Sequence, residues 1–98
     1  MASLWKIEIL TTAQRELDQI ADTLGNDVRK EILEDILDLQ DDPRPAGSVH
    51  LRGTKDFYRI YTYRSMYRIV YRVLFGKRTV LVERIRPRPS AYSGLDRW

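Results

Sequence analysis

Arginine and tyrosine are the side chains that this sequence concentrates where chemistry is possible. Between Phe57 and Phe75 the chain reads FYRIYTYRSMYRIVYRVLF, and Arg84, Arg86, Arg88 and Tyr92 follow. Fixed guanidinium donors stabilise charge on a phosphate, including that of a pentacoordinate phosphorane. A phenol among them can move a proton only if neighbouring cations lower its pKa from about 10. Such a set can cleave RNA without a metal. A ribose 2′-OH attacks the adjacent phosphorus, the bond to the 5′-oxygen breaks, and a 2′,3′-cyclic phosphate and a free 5′-OH result. The candidates are Arg59, Arg68 and Arg88, grouped around Tyr61 or Tyr92. Arg52, Arg72 and Arg86 add positive charge for holding the RNA backbone. His50 is the only histidine, and no convincing carboxylate pair lies outside the helices. Intrinsic activity is therefore expected to be weak and to depend on another body that arranges the RNA.

Strands must position these groups. Alternation at period two marks a strand with one buried face, and the run 57–75 is too long for one ordinary strand. A break near Tyr63-Arg64-Ser65-Met66 makes two antiparallel strands, although the turn lacks Asn-Gly or Asp-Gly. Tyr58 and Ile60 share a face with Tyr67, Ile69, Tyr71 and Val73, which read as core. The other face carries Arg59, Tyr61, Arg68 and Arg72 and is left open. A cationic face set with tyrosines suits a polyanion that has bases to stack.

The remaining elements follow in order. Leu4 to Leu10 alternates as a first strand, with Trp5, Ile7 and Ile9 on one face. Thr11 is placed to cap a helix over 13–24, with Gln14 completing a capping box. Its apolar stripe is Ala13, Leu17, Ile20, Ala21 and Leu24, and Gly25 ends it. Asn26 or Asp27 caps a second helix, whose stripe is Val28, Ile32, Ile36 and Leu39, widened by Leu33 and Leu37. The carboxylates Asp18, Asp22, Glu31, Glu34, Asp35 and Asp38 read as a solvated outer face. Residues 43–48 form a loop. Gly76-Lys77 turns the chain into a last strand over 79–85, with Val80 and Val82 on one face and Leu81 and Ile85 on the other. The order β-α-α-β-β-β predicts an α+β fold, a mainly antiparallel twisted sheet with a helical hairpin on one face.

Composition bounds the rest. The 98 residues fit a single domain spanning 1–98. Residues 1–49 carry a net charge of −6 and residues 50–98 a net charge of +9. That dipole steers the basic half onto phosphate backbones. With 0 cysteines, disulfides and thiolate metal sites are excluded, and a cytoplasmic location is the simplest reading. There is no metal-ligand spacing, no Gly-rich phosphate loop, no apolar run of transmembrane length and no signal-peptide pattern. Neither a cofactor, a metal nor a membrane is expected.

Several short stretches carry a family resemblance when taken in order. They are Trp5-Lys6-Ile7, Thr12-Ala13 with Leu17, Leu51-Arg52-Gly53, Tyr58-Arg59-Ile60, Tyr67-Arg68-Ile69-Val70-Tyr71, and Ile85 through Arg88 followed by Tyr92. Nearly the whole chain resembles the RelE/ParE superfamily of toxins from type II toxin–antitoxin systems. The resemblance implies a cognate antitoxin. Its ribosome-dependent branch cuts mRNA in the ribosomal A site, so ribosome and mRNA are implied partners. In that branch Arg68 and Arg88 would stabilise the transition state, Arg59 would bind or orient the phosphate, and Tyr92 would stack on a base or assist proton transfer. Two positions depart from the pattern. A lysine resembling a general base in that branch falls at Tyr61, and a His-Arg or Lys-Arg pair reads Pro87-Arg88. Tyr61 is the candidate for the missing proton-transfer role. The resemblance equally admits a ParE-like toxin that binds DNA gyrase, or a non-toxic relative that keeps only the antitoxin.

Overall fold

The computed structural model describes residues 4–88. Trp5, Ile7 and Ile9 alternate with Lys6 and Glu8, and the paired part of this segment is β1 (Lys6–Ile9). Helix α1 (Thr11–Leu24) follows without a loop. Thr11, expected as its cap, is instead the first helical residue. Leu10 holds the cap position in extended backbone, and no side chain bonds the helix start. The cause is the sheet: the Leu10 N–H still donates to the Val82 carbonyl at 3.0 Å, so the helix leaves the strand directly.

Gly25 joins α1 to α2 (Asn26–Asp38). Its φ of 102° and ψ of 161° lie in a region essentially restricted to glycine. Asn26 and Asp27 are helical residues, not side-chain caps. Ala13, Leu17 and Ile20 from α1, and Ile32 and Ile36 from α2, face the core with Leu39. Leu37 does not widen that stripe. It is 51% exposed, because one residue past Ile36 is a rotation of about 100° away from the sheet.

The sheet has five strands in the order β1-β5-β4-β3-β2. These are β2 (Val49–His50), β3 (Phe57–Thr62), β4 (Tyr67–Leu74) and β5 (Thr79–Pro87), together with β1. β1 runs parallel to β5, and the other pairs are antiparallel. The helical hairpin covers one face, which makes the fold α+β as expected. β2 is an addition to the expected order. It pairs only Val49 with Arg59 and His50 with Tyr58, too short a run to show an alternation.

The β3–β4 turn falls at Tyr63–Met66, where the sequence placed it. Without glycine it holds Tyr63, Arg64 and Ser65 at φ 47°, 56° and 60°, closed by the Met66 N–H donating to the Tyr63 carbonyl at 2.9 Å. β4 is the central strand and supplies Ile69, Tyr71 and Val73 to the core. The Tyr71 hydroxyl donates to the Pro43 carbonyl at 2.6 Å, which ties the 41–48 loop to the sheet.

One expected face is wrong. Ile85 was placed opposite Val80 and Val82, yet all three are buried in the same core. A β-bulge is the reason. Val70 pairs with Arg84 and Tyr71 with Val82, so Glu83 is an extra residue on β5 and every side chain after it changes phase.

Candidate nucleic-acid interface

β3 and β4 pair so that Tyr61 sits directly opposite Arg68, and β4 and β5 pair so that Arg68 sits opposite Arg86. Directly opposed residues share a face, so this row crosses three strands on the side away from the helices. Arg59, two residues before Tyr61, lies on the same face. Its guanidinium sits over the Tyr61 ring, 4.4 Å from the centroid. The Arg88 guanidinium lies over the same ring at 4.8 Å. Arg88 reaches it because its backbone N–H donates to the Met66 carbonyl at 2.8 Å, holding the end of β5 against the β3–β4 turn.

Tyr61, Arg59, Arg88 and Arg68 are thus brought together as the sequence grouped them. A cation over a ring is held by the negative face of the ring quadrupole. A guanidinium carries its N–H donors in a planar fork that matches a phosphate. The Tyr61 ring therefore gathers two guanidinium groups around itself.

The expected open face is not open everywhere. Arg68 is 1% exposed. It lies on the central strand between Tyr61 and Arg86, and a long side chain there is covered from both sides. Its charge lies beneath the surface, whereas Arg88 is exposed. Arg72 is exposed over the Phe57 ring, at 5.8 Å from its centroid. Four residues along β4 from Arg68, it stands about 13 Å away and extends the basic strip. Arg52 is exposed in the turn before β3, at the far end of that strand from Tyr61. Arg86 is within 3.7 Å of the Glu16 carboxylate, so its charge is partly committed. Tyr92 lies outside the described residues. His50 keeps to the second sheet edge, where its Nε2 is 2.8 Å from the Lys55 carbonyl oxygen.

Two carboxylates take roles that the sequence did not assign. Asp35, read as solvated, accepts a hydrogen bond from the Thr62 hydroxyl at 2.6 Å. Glu16 was not singled out. Its carboxylate accepts from Arg84 Nη2 at 2.9 Å and from the Ile85 N–H at 2.8 Å. The Glu16 hydrogen bond holds the Arg84 guanidinium above its ordinary pKa. A signal was present: position 16 is three residues after Ala13 and four before Ile20, on the margin of the buried stripe. Among the described residues, no group of three or more His, Asp or Glu could hold a metal ion, and no helix is long and apolar enough to cross a membrane.

A helical hairpin on one face of a five-stranded sheet, with arginines ordered on the other, defines a small cationic α+β protein of the RelE/ParE kind. The model of the ParE toxin of type II toxin–antitoxin systems, parDE, matches residues 7–92, and the chain belongs to this family. An arginine-substituted mutant of the Escherichia coli toxin RelE in the free state superposes with a TM-score of 0.69 at 27% identity, over 86% of this chain and 83% of that one. The intact E. coli RelBE toxin–antitoxin complex gives 0.63 at 26%, over 88% and 99%. The archaeal RelE–RelB complex from Pyrococcus horikoshii OT3 gives 0.69 at 22%, over 90% and 99%, a likeness of fold. Curated protein sequences give no match to the chain. The protein is a type II toxin of the RelE/ParE superfamily.

Proposed function

We propose that this toxin is a metal-independent endoribonuclease that cuts mRNA on the ribosome. The observation that carries this reading is the pair of guanidinium groups, Arg59 and Arg88, held over one tyrosine ring. Guanidinium groups donate to the non-bridging oxygens of a phosphate, and those contacts gain strength as the oxygens take on charge in the phosphorane. Arg68 adds charge from below. Arg72, Arg52 and Arg86 hold flanking backbone. His50 lies at the second sheet edge, away from this cluster, so ordering of the RNA by the ribosome is the larger share of the rate. The 2′-OH proton leaves as the new P–O bond forms, and the departing 5′-oxygen takes up a proton. The likeness to RelE supports the same reading. The RelE–RelB complexes support a cognate antitoxin as the second partner, and a ribosomal target places the protein in the cytoplasm.

The test is cell-free translation with purified toxin, mapping mRNA 5′ ends by primer extension beside Arg88→Ala. Cuts at ribosome-occupied codons that disappear in the variant are expected. Tyr61→Phe then separates ring from hydroxyl. A role as the platform for two arginines predicts a near-normal single-turnover rate, whereas a role in proton transfer predicts a large loss of rate with RNA affinity kept. The match to the ParE toxin model favours one second reading, inhibition of DNA gyrase by binding. Intact mRNA together with blocked gyrase supercoiling would establish that reading instead.

A further inference from the structure

β1 covers the outer edge of β5 only from Thr79 to Val82. The strand continues to Pro87, and Arg84, Arg86 and Arg88 all lie beyond that cover. Two features close this otherwise bare edge. Backbone N–H groups alternate in direction along a strand, and Arg88 donates inward to Met66. Position 87 therefore faces outward, and proline has no N–H to leave unpaired there. Position 85 faces outward too, and its N–H goes to Glu16 Oε1 at 2.8 Å.

Glu16 does more than cap one amide. Its Oε2 accepts from Arg84 Nη2 at 2.9 Å and from Arg84 Nε at 3.2 Å, and lies 3.7 Å from Arg86 Nη1. Its side chain is only 14% exposed, so this is not a loose surface pair. The contacts begin one residue after the bulged Glu83. A bulge sets the phase of everything that follows, and a slip of one residue exchanges the faces. In the observed phase Ile85 enters the core while Arg88 meets the Tyr61 ring.

We infer that Glu16 is a positioning residue. From helix α1 it locks the phase of β5 after the bulge, and so places Arg88 over Tyr61. Its importance for RNA rests on the nuclease reading above, whereas the placement does not.

The experiment uses the full chain with Glu16→Ala and Glu16→Gln, read by side-chain NMR and by binding of a single-stranded RNA oligonucleotide. In the parent protein the Hδ protons of Arg59 and Arg88 are expected to be shifted upfield by the Tyr61 ring current. Glu16→Ala is expected to abolish the shift at Arg88 and keep it at Arg59, which β3 itself places beside Tyr61. A general loosening of the fold would remove both, and an unchanged Arg88 shift would overturn the inference just as surely. Glu16→Gln keeps an acceptor for the Ile85 N–H without the charge. It is expected to retain part of the Arg88 shift, and it carries the test should the alanine variant not fold. In binding, Glu16→Ala loses the Arg88 contact but releases the Arg86 charge. Its effect on RNA affinity is therefore expected to be about tenfold less favourable in the parent than in an Arg88→Ala background, the worth of one charge-assisted contact. An equal effect in both backgrounds would mean that Glu16 does not act through Arg88. A parent protein that shows both ring-current shifts but binds no RNA would refute the nuclease reading and leave the placement standing.

Discussion

Tyr71→Phe should cost stability at neutral pH and much less at alkaline pH. Tyr71 is fully buried on the central strand, and its hydroxyl donates to the carbonyl of Pro43, itself a buried residue. Removing the hydroxyl leaves that carbonyl without its donor, at a cost of about 1–3 kcal/mol. Burial also raises the Tyr71 phenol well above the ordinary tyrosine value, with the Ser48 side chain opposing the shift only in part. Above pH 10, then, the unfolded chain has lost this proton and the folded chain still holds it. The unfolded state binds fewer protons, so stability falls as pH rises, by about 1.4 kcal/mol per pH unit from this group. The phenylalanine variant lacks that decline. A penalty of about 2 kcal/mol at pH 7 should therefore shrink to about 0.6 kcal/mol at pH 11. Urea unfolding followed by far-UV circular dichroism at pH 7, 10 and 11 measures the difference, and the remaining titrating groups, common to both proteins, cancel. An equal penalty at pH 7 and pH 11 would refute the argument from burial. No penalty at pH 7 would refute the role of the Pro43 hydrogen bond.

Two backbone substitutions should act with opposite signs. A Cβ on Gly25 would meet nothing within 4 Å, yet its φ of 102° is strained for any other residue, so Gly25→Ala should cost about 1–3 kcal/mol in urea unfolding. Ser65→Gly relieves a left-handed residue at φ 60° and should add about 1 kcal/mol, provided the turn keeps its shape. In RNA binding, Arg59→Ala should flatten the plot of log affinity against log salt by about 0.7, the slope for one single-strand phosphate. An unchanged slope would mean that Arg59 does not touch the backbone.

The sequence by itself determined the parts of this protein that depend on neighbours in the chain. Period-two alternation assigned faces to Tyr58, Ile60, Ile69, Tyr71 and Val73, and a buried face leaves such a strand little freedom of register. Helical spacing gave Ala13, Leu17, Ile20, Ile32 and Ile36 to the core, and Gly25 separated the two helices. The grouping of Arg59 with Tyr61 was legible for the same reason, since two residues on one strand face must be neighbours. Tertiary structure decided whatever depends on which residue lies across a pair. The bulge at Glu83 exists only relative to β4, so no count along β5 alone could move Ile85 into the core. Arg68 is buried by what flanks it on adjacent strands, and its own alternation could only name its face. The Arg88 guanidinium reaches a ring 27 residues earlier. Glu16 grips a strand 68 and 69 residues later, at Arg84 and Ile85. Local patterns fix which side chains share a face, because backbone geometry alone imposes them. Register between distant segments is fixed by the folded sheet, and in this toxin that register assembles the arginine cluster.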